Sequence, residues 1–202
     1  MTNEWDEYAQ GWDIDPSVEE YAKNAFSELL DNISIDGLTV LDFGCGTGAL
    51  TQLISPRVSR IVAIDPSKEM IKLLDKKALN NVTSISEYLS ENLVQRLPEL
   101  TANFDLIVAS SVCSFLPDYE TALSLLKPLL KEGGMFVQWD WLSNDDSSDM
   151  GLSKNRVQKA FEENNFVNIK ITTPFIMDSS NGDMPVLMAI GQTPNNKIIK
   201  ST

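Results

Sequence analysis

The sequence predicts an α/β fold on a doubly wound, mostly parallel sheet, and three observations carry that prediction. Short strand-like runs alternate with segments of helical period along nearly the whole chain. The first of these runs, Thr39–Phe43, passes directly into three alternate glycines, Gly44, Gly46 and Gly48. A later run, Phe104–Ala109, has the largely apolar make-up of a strand covered on both faces. The 202 residues suffice for one domain with a full core, and no repeat or second domain is evident.

The elements follow in order. Val18–Leu30 places Val18, Tyr21, Ala25 and Leu29 at helical spacing. Strand one is Thr39–Phe43, and the glycine turn opens a helix over Leu50–Ile54. Strand two is Arg60–Ile64, ending at Asp65, and Pro66-Ser67 starts a helix over Ser67–Leu74. Strand three, Asn81–Ser86, has only Val82 and Ile85 as clear apolar positions. Strand four is followed by a helix over Leu123–Leu130, which Gly133-Gly134 is expected to terminate. Met135–Trp139 is strand five, and Ser143–Gly151 reads as a solvated loop. A helix over Lys154–Glu163 precedes strands Val167–Thr172 and Val186–Ile190.

Composition removes several function classes. A net charge of −13 opposes nucleic-acid binding, which draws on phosphate neutralisation by Lys and Arg, and it equally opposes anionic membranes. No apolar run approaches the ~18 residues of a membrane span, and the polar start Met1-Thr2-Asn3-Glu4 does not resemble a signal peptide. The chain has no histidine, hence no imidazole base, no Ser-His-Asp arrangement and no His-ligated metal. Its two cysteines, Cys45 and Cys113, form neither a zinc set nor a secreted disulfide framework, so the cytoplasm is the expected compartment and no metal is expected. Redox chemistry and plain buried thiols are both open for the pair, the latter favoured.

Asp42 is the unusual member of the first motif. A phosphate cradle has no use for a carboxylate at the strand end, whereas a ligand carrying an ammonium group is favoured there. The run Asp42-Phe43-Gly44-Cys45-Gly46-Thr47-Gly48 resembles the first motif of the class I S-adenosylmethionine-dependent methyltransferases. Phe104-Asp105-Leu106-Ile107-Val108 and Leu130-Lys131-Glu132-Gly133-Gly134-Met135-Phe136 are similar to stretches around that family's fourth and fifth strands. The resemblance spans roughly Val40–Gly191. It implies a Rossmann-like methyltransferase fold with seven strands in the order 3-2-1-4-5-7-6. The whole of 1–202 then forms one methyltransferase domain, with 1–35 as N-terminal lid and helix.

The resemblance further implies S-adenosylmethionine as cofactor, S-adenosylhomocysteine as product, and a cofactor site at the strand ends. Asp42 and the turn of Gly44, Cys45, Gly46 and Gly48 would take the methionyl end. Asp65, beside Pro66, would accept the ribose hydroxyls, although an N-cap role suits it too. Met70, Glu87 and Tyr88 would face adenine, Met70 being equally suited to helix core. Ala109 and Ser110 would close the floor of the cofactor site. The aromatic segment Trp5–Asp13 is similar to a family lid, with Tyr8 and Trp12 covering the cofactor; a docking strap over a hydrophobic seam is the alternative.

The residues after strand four, Ser110-Ser111-Val112-Cys113, lack the Asn/Asp-Pro-Pro-Tyr/Phe pattern of enzymes that methylate base amines or glutamine amides. That points to a small-molecule acceptor, with Ser111, Cys113 and Trp139 beside it and Trp141 extending an aromatic wall. Core or interface roles suit both tryptophans equally. Asp140 after strand five is either a base or an exposed loop acid. No catalytic residue and no oligomeric state is assigned. Two other readings are weighed. A nicotinamide dehydrogenase is opposed by Asp42 and by the Gly-x-Gly-x-Gly spacing. A cofactor-binding regulatory or partner subunit without catalysis is supported by the irregular segment after strand three and by the lack of an evident base.

Overall fold

Continuous apolar strands force burial on both faces, and the computed structural model meets that demand with two helical layers around one sheet. It describes residues 4–100, 104–145, 151–178 and 182–195. The seven strands are β1 (Thr39–Phe43), β2 (Arg60–Ile64), β3 (Val82–Ile85), β4 (Phe104–Ser110), β5 (Leu130–Trp141), β6 (Val167–Met177) and β7 (Met184–Gln192). Their spatial order is β3-β2-β1-β4-β5-β7-β6, as expected. β7 pairs antiparallel with both of its neighbours, and the other pairings are parallel.

Side chains alternate between the two faces. Leu41 and Phe43 of β1 pack with Tyr119, Leu123 and Phe161 on one side. Val40 packs with Leu29, Leu50 and Leu74 on the other. The first layer is supplied by helices α5 (Glu91–Arg96), α6 (Tyr119–Leu126) and α7 (Lys154–Glu163), the second by α2 (Pro16–Asn32), α3 (Ala49–Ile54) and α4 (Lys68–Lys76). Short polar side chains fix where helices begin, each accepting a hydrogen bond from a first-turn amide. Asp15 caps α2, Ser67 α4, Ser90 α5, Asp118 α6 and Ser153 α7.

Several boundaries differ from expectation. The helix before β5 ends at Leu126, not at Leu130, because Pro128 lies in a 3₁₀ turn over Lys127–Leu129. Gly133 and Gly134 therefore stop no helix; they lie inside β5, where the pairing with β4 is irregular between Phe104 and Leu106. A Cβ on Gly134 would stand 3.1 Å from the Phe104 carbonyl oxygen. Because β5 runs on to Trp141, Asp140 is a strand residue, not a loop acid. β6 passes through Pro174 to Met177, with a second pairing irregularity between Thr172 and Phe175. α5 has no counterpart in the sequence reading, and Trp5–Trp12 forms a further helix, α1. Of the expected Ser143–Gly151 loop, residues 146–150 lie outside the described set, as do the first three residues of the polar start. Among the described residues no helix is long and apolar enough to cross a membrane.

Candidate functional site

The site begins with the turn between β1 and α3. Gly44 has φ +70°, and a Cβ there would stand 2.3 Å from Val112 Cγ2, so the turn closes tightly on the segment after β4. At Gly46, with φ +53°, the added Cβ would meet nothing nearer than Trp12 Nε1 at 3.8 Å. The turn is thus open to a ligand above Gly46. The amides of Gly44 and Cys45 both donate to the Ile64 carbonyl, at 2.8 and 3.1 Å, and the Gly46 amide donates to Asp65 Oδ2 at 2.9 Å. Those three donors are engaged with the end of β2. What the turn presents at Gly46 is space beside two carboxylates.

Asp42 is 1% exposed, and its Oδ2 accepts from the Thr51 hydroxyl at 2.6 Å. Burial pushes its pKa up to about 7, against the Thr51 bond and with a further rise from Asp65. Asp65 is 8% exposed; its Oδ1 accepts from the Ser67 amide at 2.8 Å and its Oδ2 from Gly46. Burial raises its pKa too, while those two amide bonds oppose the rise. Each carboxylate oxygen has two lone pairs, so Asp65 keeps one acceptor position per oxygen after these bonds.

α1 spans the mouth. Asp6 Oδ1 accepts from the Ser67 hydroxyl at 2.6 Å and from the Glu69 amide at 3.3 Å, clasping α1 to the N-terminus of α4. The Thr47 hydroxyl donates to Asp13, which also pairs with Lys77 at 3.6 Å. At the opposite edge the Trp5 ring meets Phe115 edge-on at 5.4 Å. Beneath, Ser111 has φ +56° and its amide donates to the Trp139 carbonyl at 2.7 Å. Asp140 holds the turn after β4: its Oδ1 accepts from the Ser114 amide at 2.9 Å and its Oδ2 from Gln138 Nε2 at 3.0 Å. Burial drives its pKa up to about 7 against these bonds.

These walls enclose a cavity of about 910 Å³. Of the residues expected in the cofactor site, Asp42, Gly44, Cys45 and Gly46 line it from the turn. Asp65 and Pro66 line it from the end of β2, Met70 from α4, and Glu87 and Tyr88 from the segment after β3. Tyr8 and Trp12 line it from above, Ser110 from the end of β4, and Ser111, expected beside the acceptor, from the turn that follows. Gly48, Ala109, Cys113 and Trp139 stand outside its wall. Gly48 instead precedes α3, where a Cβ would stand 2.4 Å from Leu74 Cδ1. Trp139 and Cys113 are core residues, 0% and 1% exposed, because both face helical layers and not the strand ends. Cys45 is also buried, and burial pushes both thiols up, which leaves them as inert thiols.

Sequence reasoning missed Tyr21, Leu125, Met177 and Met184, which line the outer part together with Trp141. The signal for Tyr21 lay in the apolar face of α2, but its reach beyond the strand ends depends on packing against Trp141 and Phe175. Among the described residues no group of three or more His, Cys, Asp or Glu could hold a metal ion.

A family described as methyltransferase domain matches residues 41–138. The ubiquinone biosynthesis O-methyltransferase of Leptothrix cholodnii is 28% identical over 109 residues, 54% of this chain and 45% of that protein. The trans-aconitate 2-methyltransferase of an Azoarcus species is 36% identical over 116 residues, 56% of this chain and 43% of that one. The chain thus spans about half the length of the curated relatives it matches. Among solved structures, a DhpI–SAH complex is similar with TM-score 0.72 and 18% identity, covering 96% of this chain and 94% of that one. The methyltransferase complexed with the Trm112 activator of Haloferax volcanii has TM-score 0.75 and 16% identity, covering 96% and 100%. At such identities the solved structures establish the fold.

Proposed function

We propose that the chain is a class I S-adenosylmethionine-dependent methyltransferase whose cavity binds S-adenosylmethionine and aligns it with a small-molecule acceptor. The observation that carries the reading is the open space over Gly46 flanked by the buried carboxylates of Asp42 and Asp65. A ligand bearing an ammonium group at one end and a ribose diol further along matches that pair.

In this reading Asp65 accepts the ribose hydroxyls through its remaining lone pairs, and Asp42 attracts the ammonium. Met70, Glu87 and Tyr88 flank adenine. Tyr8 and Trp12 on α1 cover the site and exclude water, so the first 35 residues act as lid and helix of a single domain. The cofactor supplies a methyl group activated on sulfur, and the chain has to position reactants without activating them. Alignment of well-held reactants accounts for roughly 7–11 kcal/mol of barrier. A chain without histidine suits such chemistry. The acidic balance favours a small molecule over nucleic acid or membrane as acceptor. Two inert thiols suit the cytoplasm.

The test is incubation with methyl-labelled S-adenosylmethionine and a panel of small amines, phenols and thiols. Label is expected in one class of product and lost in Gly46→Val, whose side chain fills the open space. A second reading, a cofactor-binding partner or regulatory subunit, draws on the burial of Asp140, which leaves it outside the cavity wall. Tight cofactor binding with no labelled product across the panel favours that reading.

A further inference from the structure

The outer half of the cavity differs chemically from the half beside Gly46. Its walls are apolar and aromatic, with Tyr21, Phe115, Leu125, Trp141 and Met184 among them. Among the described residues no lysine or arginine lines any part of the cavity. Five exposed acids line it, Glu7, Asp15, Glu87, Asp118 and Asp178, of which Glu87 is paired with Arg96 at 2.6 Å. Hydrogen bonds from Ser17 and Thr121 hold the Asp15 and Asp118 carboxyls below the usual carboxylate range, so both are charged at neutral pH. Arg156, whose charge reaches Asp118, is engaged by both carboxylate oxygens of Glu120 at 2.9 and 3.0 Å.

Tyr21 supplies a separate observation. It is 6% exposed, forms part of the wall, and its buried hydroxyl has no hydrogen-bond partner among the described residues. Its ring stands edge-on to Trp141 at 5.3 Å and to Phe175 at 5.5 Å, which fixes its position. An orphan hydroxyl is costly in a folded protein; this one is sealed from the cavity, so a ligand partners it only with a small opening of the aromatic wall.

An anion entering such a cavity would lose its water with no cation to replace it. A protonated amine meets aromatic faces and a field of one sign, focused by low-dielectric walls. We propose that the outer half is an acceptor site for an amine on an apolar body, with the Tyr21 hydroxyl hydrogen-bonded to the amine nitrogen. This inference rests on assigning the inner half to the methyl donor. In the transfer, the free amine, having left its proton with water at the mouth, forms the new N–C bond with its lone pair. The methyl carbon–sulfur bond breaks with its electron pair staying on sulfur, and the product leaves as a methylated ammonium.

Calorimetry on the full chain tests this, using phenethylamine, 2-phenylethanol and 3-phenylpropionate as probes of similar apolar body. S-adenosylhomocysteine is titrated first; if it does not bind, the donor assignment fails, and the probes are run on the free protein, where the same order is required. Phenethylamine is expected to bind about tenfold or more tighter than the carboxylate, with the alcohol between them. Tyr21→Phe is expected to raise the melting temperature by removing an orphan hydroxyl, yet to weaken the amine by about threefold or more. A purely structural Tyr21 would show the first effect without the second, and that result removes Tyr21 from the site. Equal affinities, a tighter carboxylate or no binding by the amine overturns the proposal.

Discussion

Asp42 and Asp65 end neighbouring strands, yet they are held differently, and the difference assigns them different work. Asp65 is anchored through two backbone amides and keeps acceptor positions on both oxygens. Asp42 has one hydroxyl partner and full burial, which raises its pKa to about 7. The raised value sets a sign. The native state holds the Asp42 proton between about pH 4 and 7, where the unfolded state has lost it, so stability from this group is fully present below about pH 4 and is lost as pH rises through about 7. Thermal melts between pH 5.5 and 8 should therefore fall more steeply for the native chain than for Asp42→Asn. An ammonium beside Asp42 favours its charged form, so S-adenosylhomocysteine should bind more tightly at pH 8 than at pH 6. A pH-independent affinity would place the ammonium elsewhere. Asp42 was legible in the sequence as a carboxylate out of place before a glycine turn. Its Thr51 partner was not, because that contact depends on where α3 packs.

At the scale of elements, legibility followed burial. β1, β2 and α7 sit where the sequence pattern puts them, since their apolar positions keep the period of each element and only Asp42 breaks the run in β1. The start of β5 was missed because Gly133-Gly134 has the composition of a helix stop, whereas Pro128 had already ended the helix. α1 was legible only as an aromatic segment: eight residues with Ala9 alone buried carry little periodic signal. Its position is set by tertiary contacts, Asp6 at the N-terminus of α4 and Trp5 against Phe115. Asp6→Ala should release that clasp, weakening S-adenosylhomocysteine by about 1 kcal/mol, roughly fivefold, and hastening proteolysis near Trp12. Unchanged affinity and unchanged proteolysis would mean that α1 does not act as a lid.

For the whole molecule, the parallel sheet sets the site's location. The order β3-β2-β1-β4-β5-β7-β6 reverses direction between β1 and β4, and the crevice at their carboxyl ends is where open α/β sheets bind ligands. Much of the inner half of the cavity was readable because Asp42, the glycine turn, Asp65 and Met70 lie close along the chain. The outer half was not, because α2, the turn after β4 and β7 meet there only in the folded state. The measurement that bears most directly on this account is calorimetric titration with S-adenosylhomocysteine, with NAD as the control dinucleotide. We predict binding of the first in the micromolar range and none of the second. Failure of S-adenosylhomocysteine to bind, or a preference for NAD, would contradict the assignment of the cavity and leave only the fold.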